Sequence, residues 1–305
     1  MEVYHQPVLL KESVDFLVTN LDGSYVDATF GGGGHSRELL SRLSNDARVL
    51  AFDVDENSGR LADELSRADR RLIFVKGNFS TLAEVLREKN INPISGATFD
   101  LGVSSYQVDA EPGFSYRRDE RLDMRLDKQL QTSAYEVVNT YSSADLAGVF
   151  FKYGEEPRSH ALANAIVRQR AKSKIETTSQ LADLVVKICG RSVKSLSRIF
   201  QSIRIEVNKE LDSISDGLTA AIDFLTRGGR LVVLTYHSLE DRIVKEKFKY
   251  EAATCVCPPG SIICTCGKIA RLKLITRKPI VPGADEIRSN RRARSAKMRV
   301  AEKIV

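Results

Sequence analysis

A run of glycines between a strand pattern and a helix pattern is the feature that most constrains this chain. Apolar Tyr25 and Val26 lead into Asp27, four glycines follow at 31–34, and a helical pattern runs over 36–43. Glycine is the residue that lets backbone pass close to a ligand, because it carries no side chain. The segment therefore predicts a strand, a tight ligand-binding loop and the start of a helix.

The residues around this loop indicate which ligand it binds. A second apolar run ends in Asp53, where an acid at the end of a second strand accepts hydrogen bonds from ribose hydroxyls. The G-x-G-x-x-G pattern of a pyrophosphate site fails, because its sixth position is Ser36 or Arg37. Asp27 favours a cationic or amino-bearing ligand over phosphate. S-adenosylmethionine fits these features; the alternative is a glycine-rich turn in an ordinary α/β protein.

Strands and helices alternate through the first hundred residues. Strands are predicted at 72–77 and 95–102, with a helix over 81–89 between them, and this βαβ series indicates a parallel sheet. The sequence then becomes polar from Val103 to Arg125 and mostly helical over 134–225. The next strand, at 229–238, would return to the sheet, so we expect an α/β domain interrupted by a helical insertion.

Charge and hydropathy limit the class of protein. The net charge is +6, and basic residues crowd the last eighteen positions, which favours polyanionic partners or a solvated surface. No apolar stretch has the length of a membrane span, and the first residues lack a secretory pattern. We therefore expect a cytoplasmic protein.

Several motifs, in order along the chain, carry a resemblance to a known family. The sequence resembles the 16S ribosomal RNA cytosine-N4 methyltransferase family, the MraW or RsmH type. The motifs that carry the resemblance are HQPVLL at 5–10, DATFGGGGHS at 27–36, GNFS at 77–80, DLGVSSYQVD at 100–109, GFSYRRDERLDMR at 113–125, YGEE at 153–156, FQSIRIEVNKEL at 200–211, YHSLEDRIVK at 236–245 and the tail NRRARSAKMRV.

The resemblance implies a fold and an activity. The fold is a class I (Rossmann-like) methyltransferase sheet with an inserted helical domain, divided into a cofactor domain at 1–104 and 212–305 and a substrate-recognition domain at 105–211. The donor is S-adenosylmethionine, and the target is the N4 amine of a cytidine in the decoding region of 16S rRNA. The partner is small-subunit rRNA or the assembling 30S subunit, with no membrane and no stable protein partner.

The resemblance also implies cofactor-binding residues, and the positive charge of the chain supplies candidates for RNA binding. Those that bind the cofactor are Gly33, Gly34, His35, Asp53, Phe79, Asp100 and Gln107. The candidates for RNA binding are Arg168, Arg170, Arg198, Arg204, Arg291, Arg292 and Arg294.

The group that holds the target amine is left open by the sequence. Many amino-group methyltransferases carry an Asp/Asn-Pro-Pro-aromatic motif after the fourth strand, whereas this chain has DLGVSSY. Asp100 is the first candidate for a catalytic acceptor; the others are Ser104, Ser105, His237 and Glu240, with Ser238 a possible cap for the helix that follows.

Some positions depart from the family pattern. The chain has SLSRI at 195–199, keeping only Arg198 of the usual Pro-Ala-Thr-Arg-Thr, and Arg291 replaces a proline in the tail. These changes leave the glycine loop intact. Two alternatives follow: a ribosome-associated RNA-binding homologue with weak or no catalysis, and a methyltransferase of the same fold that acts on another RNA or DNA amine.

Five cysteines include an unusual array. Cys255 and Cys257 form one C-x-C pair, Cys264 and Cys266 form another, and Cys189 stands alone in a helical context. Disulfides are uncommon in cytoplasmic proteins, so the two pairs are candidates for a structural zinc site, with clustered free thiols in a loop as the alternative.

Overall fold

The structure is a computed structural model that describes residues 7–102, 112–261 and 263–305, apart from the side chain of Arg292. The chain divides into two compact units. One combines Met1–Gly102 with Leu211–Val305, and the other is Val103–Glu210. No helix within the described ranges combines the length and apolar character that a membrane span requires.

The first unit alternates strands with helices. Before the insertion its elements are α1 (Leu10–Leu17), β1 (Ser24–Asp27), α2 (Gly34–Arg42), β2 (Arg48–Asp53), α3 (Glu56–Ala68), β3 (Leu72–Lys76), a 3-10 turn (Phe79–Thr81), α4 (Leu82–Glu88) and β4 (Ile94–Asp100). The inserted unit contains α5 (Ala134–Thr140), α6 (Ser143–Lys152), α7 (Ser159–Arg170), α8 (Thr178–Cys189) and α9 (Val193–Asn208). After it come α10 (Glu210–Phe224), β5 (Leu225–Thr235), α11 (Ser238–Ala252), β6 (Leu272–Leu274), α12 (Ala284–Ser289), a second 3-10 turn (Arg291–Ser295) and β7 (Lys297–Lys303).

The strands form one seven-stranded sheet in the order β3-β2-β1-β4-β5-β7-β6. The first five strands in this order are parallel to one another. Strand β7 pairs in the antiparallel sense with β5 on one side and with β6 on the other. The strand order reverses between β1 and β4, and ligands of open α/β sheets bind outside the carboxyl ends of strands at such a switch point. The class I α/β sheet predicted from the sequence is confirmed.

Both faces of this sheet are covered by apolar packing. Along β1, Tyr25 points into one hydrophobic cluster and Val26 into another, and neighbouring strands alternate in the same way. Helices cover both clusters, which explains why the strands read as continuous apolar runs rather than alternating ones. The packed faces leave the strand ends as the place where polar side chains collect.

The fifth strand begins four residues earlier than the predicted 229–238. Leu225 pairs with Ile94, and the register then shifts before Arg230 pairs with Gly96. Gly228 has a φ of 81° in this irregular stretch. Sequence periodicity could not predict this start, because it depends on pairing with a strand more than a hundred residues away.

The inserted unit has a core of its own. Phe150, Leu162, Ile166, Leu181 and Ile203 are fully buried in a cluster made of its residues alone. Reciprocal capping boxes start two of its helices, Ser133 with Glu136 at α5 and Thr177 with Gln180 at α8. Its described residues contain no strand and one isolated bridge between single residues.

Candidate cofactor and active site

The glycine loop between β1 and α2 leaves no room for a side chain at Gly33 and Gly34. Gly31 and Gly33 have positive φ angles of 52° and 74°. A Cβ at Gly33 would lie 2.7 Å from the Phe30 ring, and one at Gly34 would lie 2.1 Å from Pro7. No side chain among the described residues caps α2, so the first amides of this helix remain available as donors. The loop is therefore a bare backbone surface at the switch point.

Asp53 ends β2 with a carboxylate that the backbone holds in place. Its Oδ2 accepts from the Gly31 amide at 2.7 Å, and its Oδ1 accepts from the Asp55 amide at 2.9 Å. Burial raises the pKa of Asp53 to about 6, against the lowering effect of these two amides. The Ser58 side chain is a third donor to Asp53. A carboxylate has about four acceptor positions, so part of this capacity remains for a hydroxyl group of a ligand.

Asp27, at the end of β1, is fully buried. Its carboxylate accepts from Ser36 Oγ at 2.7 Å and from the Thr29 amide at 3.2 Å. Burial raises the pKa of Asp27, and the nearby His35 opposes this effect. Through its bond to Ser36, Asp27 holds the start of α2 against the end of β1. Because the carboxylate is buried, it would attract a cationic ligand through its electrostatic field and not by direct contact.

Asp100, at the end of β4, is the centre of a small polar cluster. The Tyr236 hydroxyl donates to Asp100 Oδ1 at 2.6 Å, and His35 Nδ1 lies 3.9 Å from Oδ2. Thr29 Oγ1 accepts from the Asp100 amide at 2.7 Å. His35 is 4% exposed, and its Nε2 has no hydrogen-bond partner within the described part of the chain. One oxygen of Asp100 is thus fixed by a donor, and the other has no close donor in this cluster.

Tyr236 belongs to the polar cluster around Asp100, although the sequence pattern did not single it out. Burial and the Asp100 carboxylate raise its pKa well above 10, so the phenol stays protonated and donates. It lies two residues beyond Leu234, which pairs with Asp100 in the sheet. The signal was present in the sequence, because a polar aromatic lies two residues after the apolar run of β5.

The sheet register places Asp53 and Asp100 at the same distance beyond the end of β1. Asp27 pairs with Ala51 on one side and with Thr98 on the other. Asp53 and Asp100 each lie two residues beyond those partners, so they flank the end of β1. Two strand spacings separate them by about 10 Å. The loop that follows β1 therefore lies between two carboxylates.

Phe79 opens the 3-10 turn after β3. Its ring meets Phe99 edge to face, with centroids 5.6 Å apart, and a Cβ on Gly217 would lie 2.6 Å from it. The ring is only partly buried against the core cluster of that face. It is a packed aromatic that still has exposed surface.

His237 and Glu240 form the cap of α11. The Glu240 carboxylate accepts from the amides of Tyr236 at 2.7 Å and His237 at 3.2 Å, and His237 Nδ1 accepts from the Glu240 amide at 3.4 Å. The prediction that Ser238 caps this helix is wrong, because Ser238 is already its first helical residue. Both candidates for the amine acceptor are engaged in starting a helix.

The RNA-binding candidates differ in what they contact. Arg204 donates to both oxygens of Glu210 at 2.7 and 2.9 Å, and Arg170 donates to two backbone carbonyls. Arg168 is exposed and Arg198 half-buried. Two of these four guanidinium groups therefore hold the inserted unit together.

The C-terminal candidates show a similar division. Arg291 and Arg294 are exposed in the second 3-10 turn. In β7, Arg299 and Lys297 both pair with Asp241. Arg291 and Arg294 therefore face solvent, whereas the charges of Lys297 and Arg299 are paired with a carboxylate.

The side chains of four predicted site residues are not described by the structure. Ser104, Ser105 and Gln107 lie outside the described residues, as does the side chain of Arg292. The four clustered cysteines do come together, in the segment between α11 and β6.

Comparison with known proteins matches this sequence to a family. The profile of the MraW methylase family matches residues 2–304. The chain is 47% identical over 304 residues to the ribosomal RNA small subunit methyltransferase H of Caldicellulosiruptor bescii, covering 98% of this chain and 99% of that protein. It is 46% identical over 310 residues to the protein of the same name from Carboxydothermus hydrogenoformans, covering 100% and 99%.

These matches run through the glycine loop, the two acids at the strand ends and the inserted unit alike, and they confirm the resemblance seen in the motifs. The chain belongs to the MraW methylase family.

Proposed function

We propose that this protein transfers a methyl group from S-adenosylmethionine to the N4 amine of a cytidine in the decoding region of 16S rRNA. The names of the full-length relatives support rRNA of the small subunit as the substrate. The family resemblance supports the cytidine amine and the decoding region.

One observation carries the proposal: a bare glycine loop lies between Asp53 and Asp100 at the switch point of the sheet. The residues fit the donor at three points. Asp53 keeps acceptor capacity for the ribose. The exposed part of the Phe79 ring offers an apolar surface to adenine, and the uncapped start of α2 offers amides to a carboxylate. Gln107 is proposed as a further contact from the resemblance.

The chemistry requires alignment and charge stabilisation. When bound, S-adenosylmethionine supplies an electrophilic methyl group on a sulfonium. Cytosine N4 is a poor nucleophile because its lone pair is conjugated with the ring, so the chain must hold the amine in line with that methyl. As the nitrogen–carbon bond forms, the carbon–sulfur bond breaks and leaves a neutral thioether. Positive charge builds on N4 until the amine loses one proton, and an acceptor beside it stabilises this charge.

Asp100 is the acceptor that the geometry favours. Tyr236 fixes one of its oxygens at 2.6 Å, which leaves the other to accept from an amino group. Tyr236 itself stays protonated because of its raised pKa, so it positions Asp100 and does not remove a proton. The capping bonds of His237 and Glu240 make them weaker candidates.

Substrate recognition is assigned to the inserted domain and the basic tail. The net charge of +6 and the exposed guanidinium groups of Arg168, Arg291 and Arg294 favour contacts with phosphates. Arg170 and Arg204 are better explained as structural, because carbonyls and Glu210 already occupy their donors.

The test is mass spectrometry of nucleosides from small-subunit rRNA, with and without the gene and with the gene restored as Asp100→Asn. We expect an N4-methylated cytidine that disappears on deletion and returns with the wild-type gene alone. An unchanged nucleoside profile on deletion would favour an RNA-binding homologue without catalysis. A change in a different nucleoside would favour another amine as target.

A further inference from the structure

The segment between α11 and β6 has little to hold its shape except its cysteines. Its described residues, 253–261 and 263–271, include no helix or strand. Val256, Ile263 and Ile269 are 43%, 74% and 68% exposed, so the segment has no apolar core of its own. Loops of this length without regular structure are uncommon in compact domains.

The ends of the segment are nevertheless fixed. Arg271 donates to both oxygens of Glu251 at 2.8 Å each, and Lys268 Nζ lies 3.6 Å from the same carboxylate. These cations hold the pKa of Glu251 at about 2. A loop with anchored ends and an exposed, coreless middle needs another constraint to adopt one conformation.

The four cysteine sulfurs have the spacing of a metal-thiolate site. Cys264 Sγ lies 3.5 Å from Cys255 Sγ, 3.6 Å from Cys266 Sγ and 3.9 Å from Cys257 Sγ, and Cys255 and Cys266 are 3.9 Å apart. All four lie within 4.8 Å of one another. Zinc–sulfur bonds of about 2.3 Å in a tetrahedron give sulfur–sulfur distances of about 3.8 Å. A disulfide would need about 2.05 Å, so these sulfurs are not bonded to each other.

Backbone donors point at this sulfur cluster. The Val256 amide donates to Cys266 Sγ at 3.4 Å, and the Cys257 amide donates to Cys255 Sγ at 3.4 Å. Amides directed at sulfur stabilise thiolate charge and orient the ligands, as outer partners do in metal sites.

We propose that Cys255, Cys257, Cys264 and Cys266 bind one structural zinc ion that folds the 253–271 segment. Four thiolates select a soft or borderline metal over magnesium or calcium. Four protein ligands complete a tetrahedron and leave no open position, so the site is structural and takes no part in methyl transfer. Binding releases protons from the thiols and couples the fold of the loop to the metal.

The first experiment measures metals in the full-length protein, purified without chelator from cells grown with trace zinc. Elemental analysis should give about one zinc ion per chain and no stoichiometric iron. Replacing zinc with cobalt(II) should produce thiolate-to-cobalt charge-transfer absorption. A metal-free protein, or one that carries iron instead, would overturn the proposal, as would four free thiols that take up no cobalt.

Variants locate the metal. Cys255→Ser and Cys264→Ser should each lose at least about tenfold in zinc affinity against a competing chelator. The matched control is Cys189→Ser in α8, which should keep wild-type zinc content. Equal loss in the control would contradict the assignment.

Hydrogen exchange supplies a readout that does not depend on the variants. Removing zinc from the wild-type protein with a chelator should speed exchange of the amides of Val256 and Cys257, while amides in the strands of the sheet stay protected. Unchanged exchange at these two amides would mean that no metal orders the loop.

Discussion

The proposed function has Asp53 bind the ribose, and two amides already orient its carboxylate. Asp53→Ala removes the acceptor, and each lost hydrogen bond to a charged group costs about 1.5 to 3 kcal/mol. We expect affinity for S-adenosylmethionine to fall at least about tenfold, measured by calorimetry. An unchanged affinity would show that the ribose is held elsewhere.

The raised pKa of Asp53 adds a pH dependence to the same measurement. The charged carboxylate is the stronger acceptor, and burial raises its pKa to about 6. Affinity should therefore fall as the pH drops from 7 to about 5 and level off at higher pH. Asp53→Asn should flatten this profile, because an amide does not titrate in this range.

Asp100 can bind the cofactor, support the transition state, or both, and kinetics separates these roles. Asp100→Asn keeps the shape and removes the charge, so turnover at saturating S-adenosylmethionine should drop by about 10²-fold or more. Recovery at high cofactor concentration would make Asp100 a binding residue only. Asp46→Asn on an exposed loop is the charge-matched control and should leave turnover unchanged.

Tyr236 provides a second test of the same cluster. Tyr236→Phe keeps the ring and removes the hydroxyl that donates to Asp100 at 2.6 Å. If this bond positions the carboxylate, turnover should fall less than in Asp100→Asn, with the fold intact by circular dichroism. An effect larger than that of Asp100→Asn would point to a separate role for the phenol.

At the scale of elements, Gly33 is the position of the loop between β1 and α2 where both the backbone conformation and the lack of space require glycine. Gly33→Ala combines a φ of 74° with a Cβ 2.7 Å from the Phe30 ring. We expect a loss of about 1 to 3 kcal/mol in the free energy of unfolding and a loss of cofactor binding.

The control is Gly59→Ala, inside α3 of the same unit. A Cβ there would meet Phe74 at an ordinary 3.6 Å, and alanine is the better helix former. Thermal unfolding should show a gain of about 0.5 to 1 kcal/mol for this variant. Equal destabilisation by both substitutions would mean that the loop has no greater need for glycine than the helix does.

At the scale of the whole molecule, the exposed arginines of the C-terminal tail should contribute to RNA binding. The double variant Arg291→Ala/Arg294→Ala removes two charges that face solvent. Affinity for 16S rRNA should fall, and the slope of log affinity against log salt should flatten by roughly one to two units. Cofactor affinity should stay the same.

A variant with the same net charge tests whether position matters. Arg60→Ala/Arg67→Ala removes two exposed arginines from α3. If the tail contacts phosphates, this control should leave the salt slope near that of the wild type. Equal slopes in both double variants would mean that the tail affects RNA binding only through the net charge of the protein.

The sequence by itself determined the α/β sheet, the glycine loop and the acids at the strand ends. These features follow from local rules, because apolar periodicity, the conformational freedom of glycine and chain direction depend on neighbouring residues. Asp53 and Asp100 could be singled out because each directly ends an apolar run. The family motifs added the donor and the target as expectations.

Only the tertiary structure decided which distant residues meet. Tyr236 bonds to Asp100 across 136 positions, and Arg170 is occupied by carbonyls about 30 residues away. The four cysteines were two C-x-C pairs in the sequence, and the fold of the loop brings their sulfurs within 4.8 Å of one another. Such contacts depend on strand order and packing, which no local pattern encodes, and they determine whether a charged or nucleophilic group faces a ligand or another part of the chain.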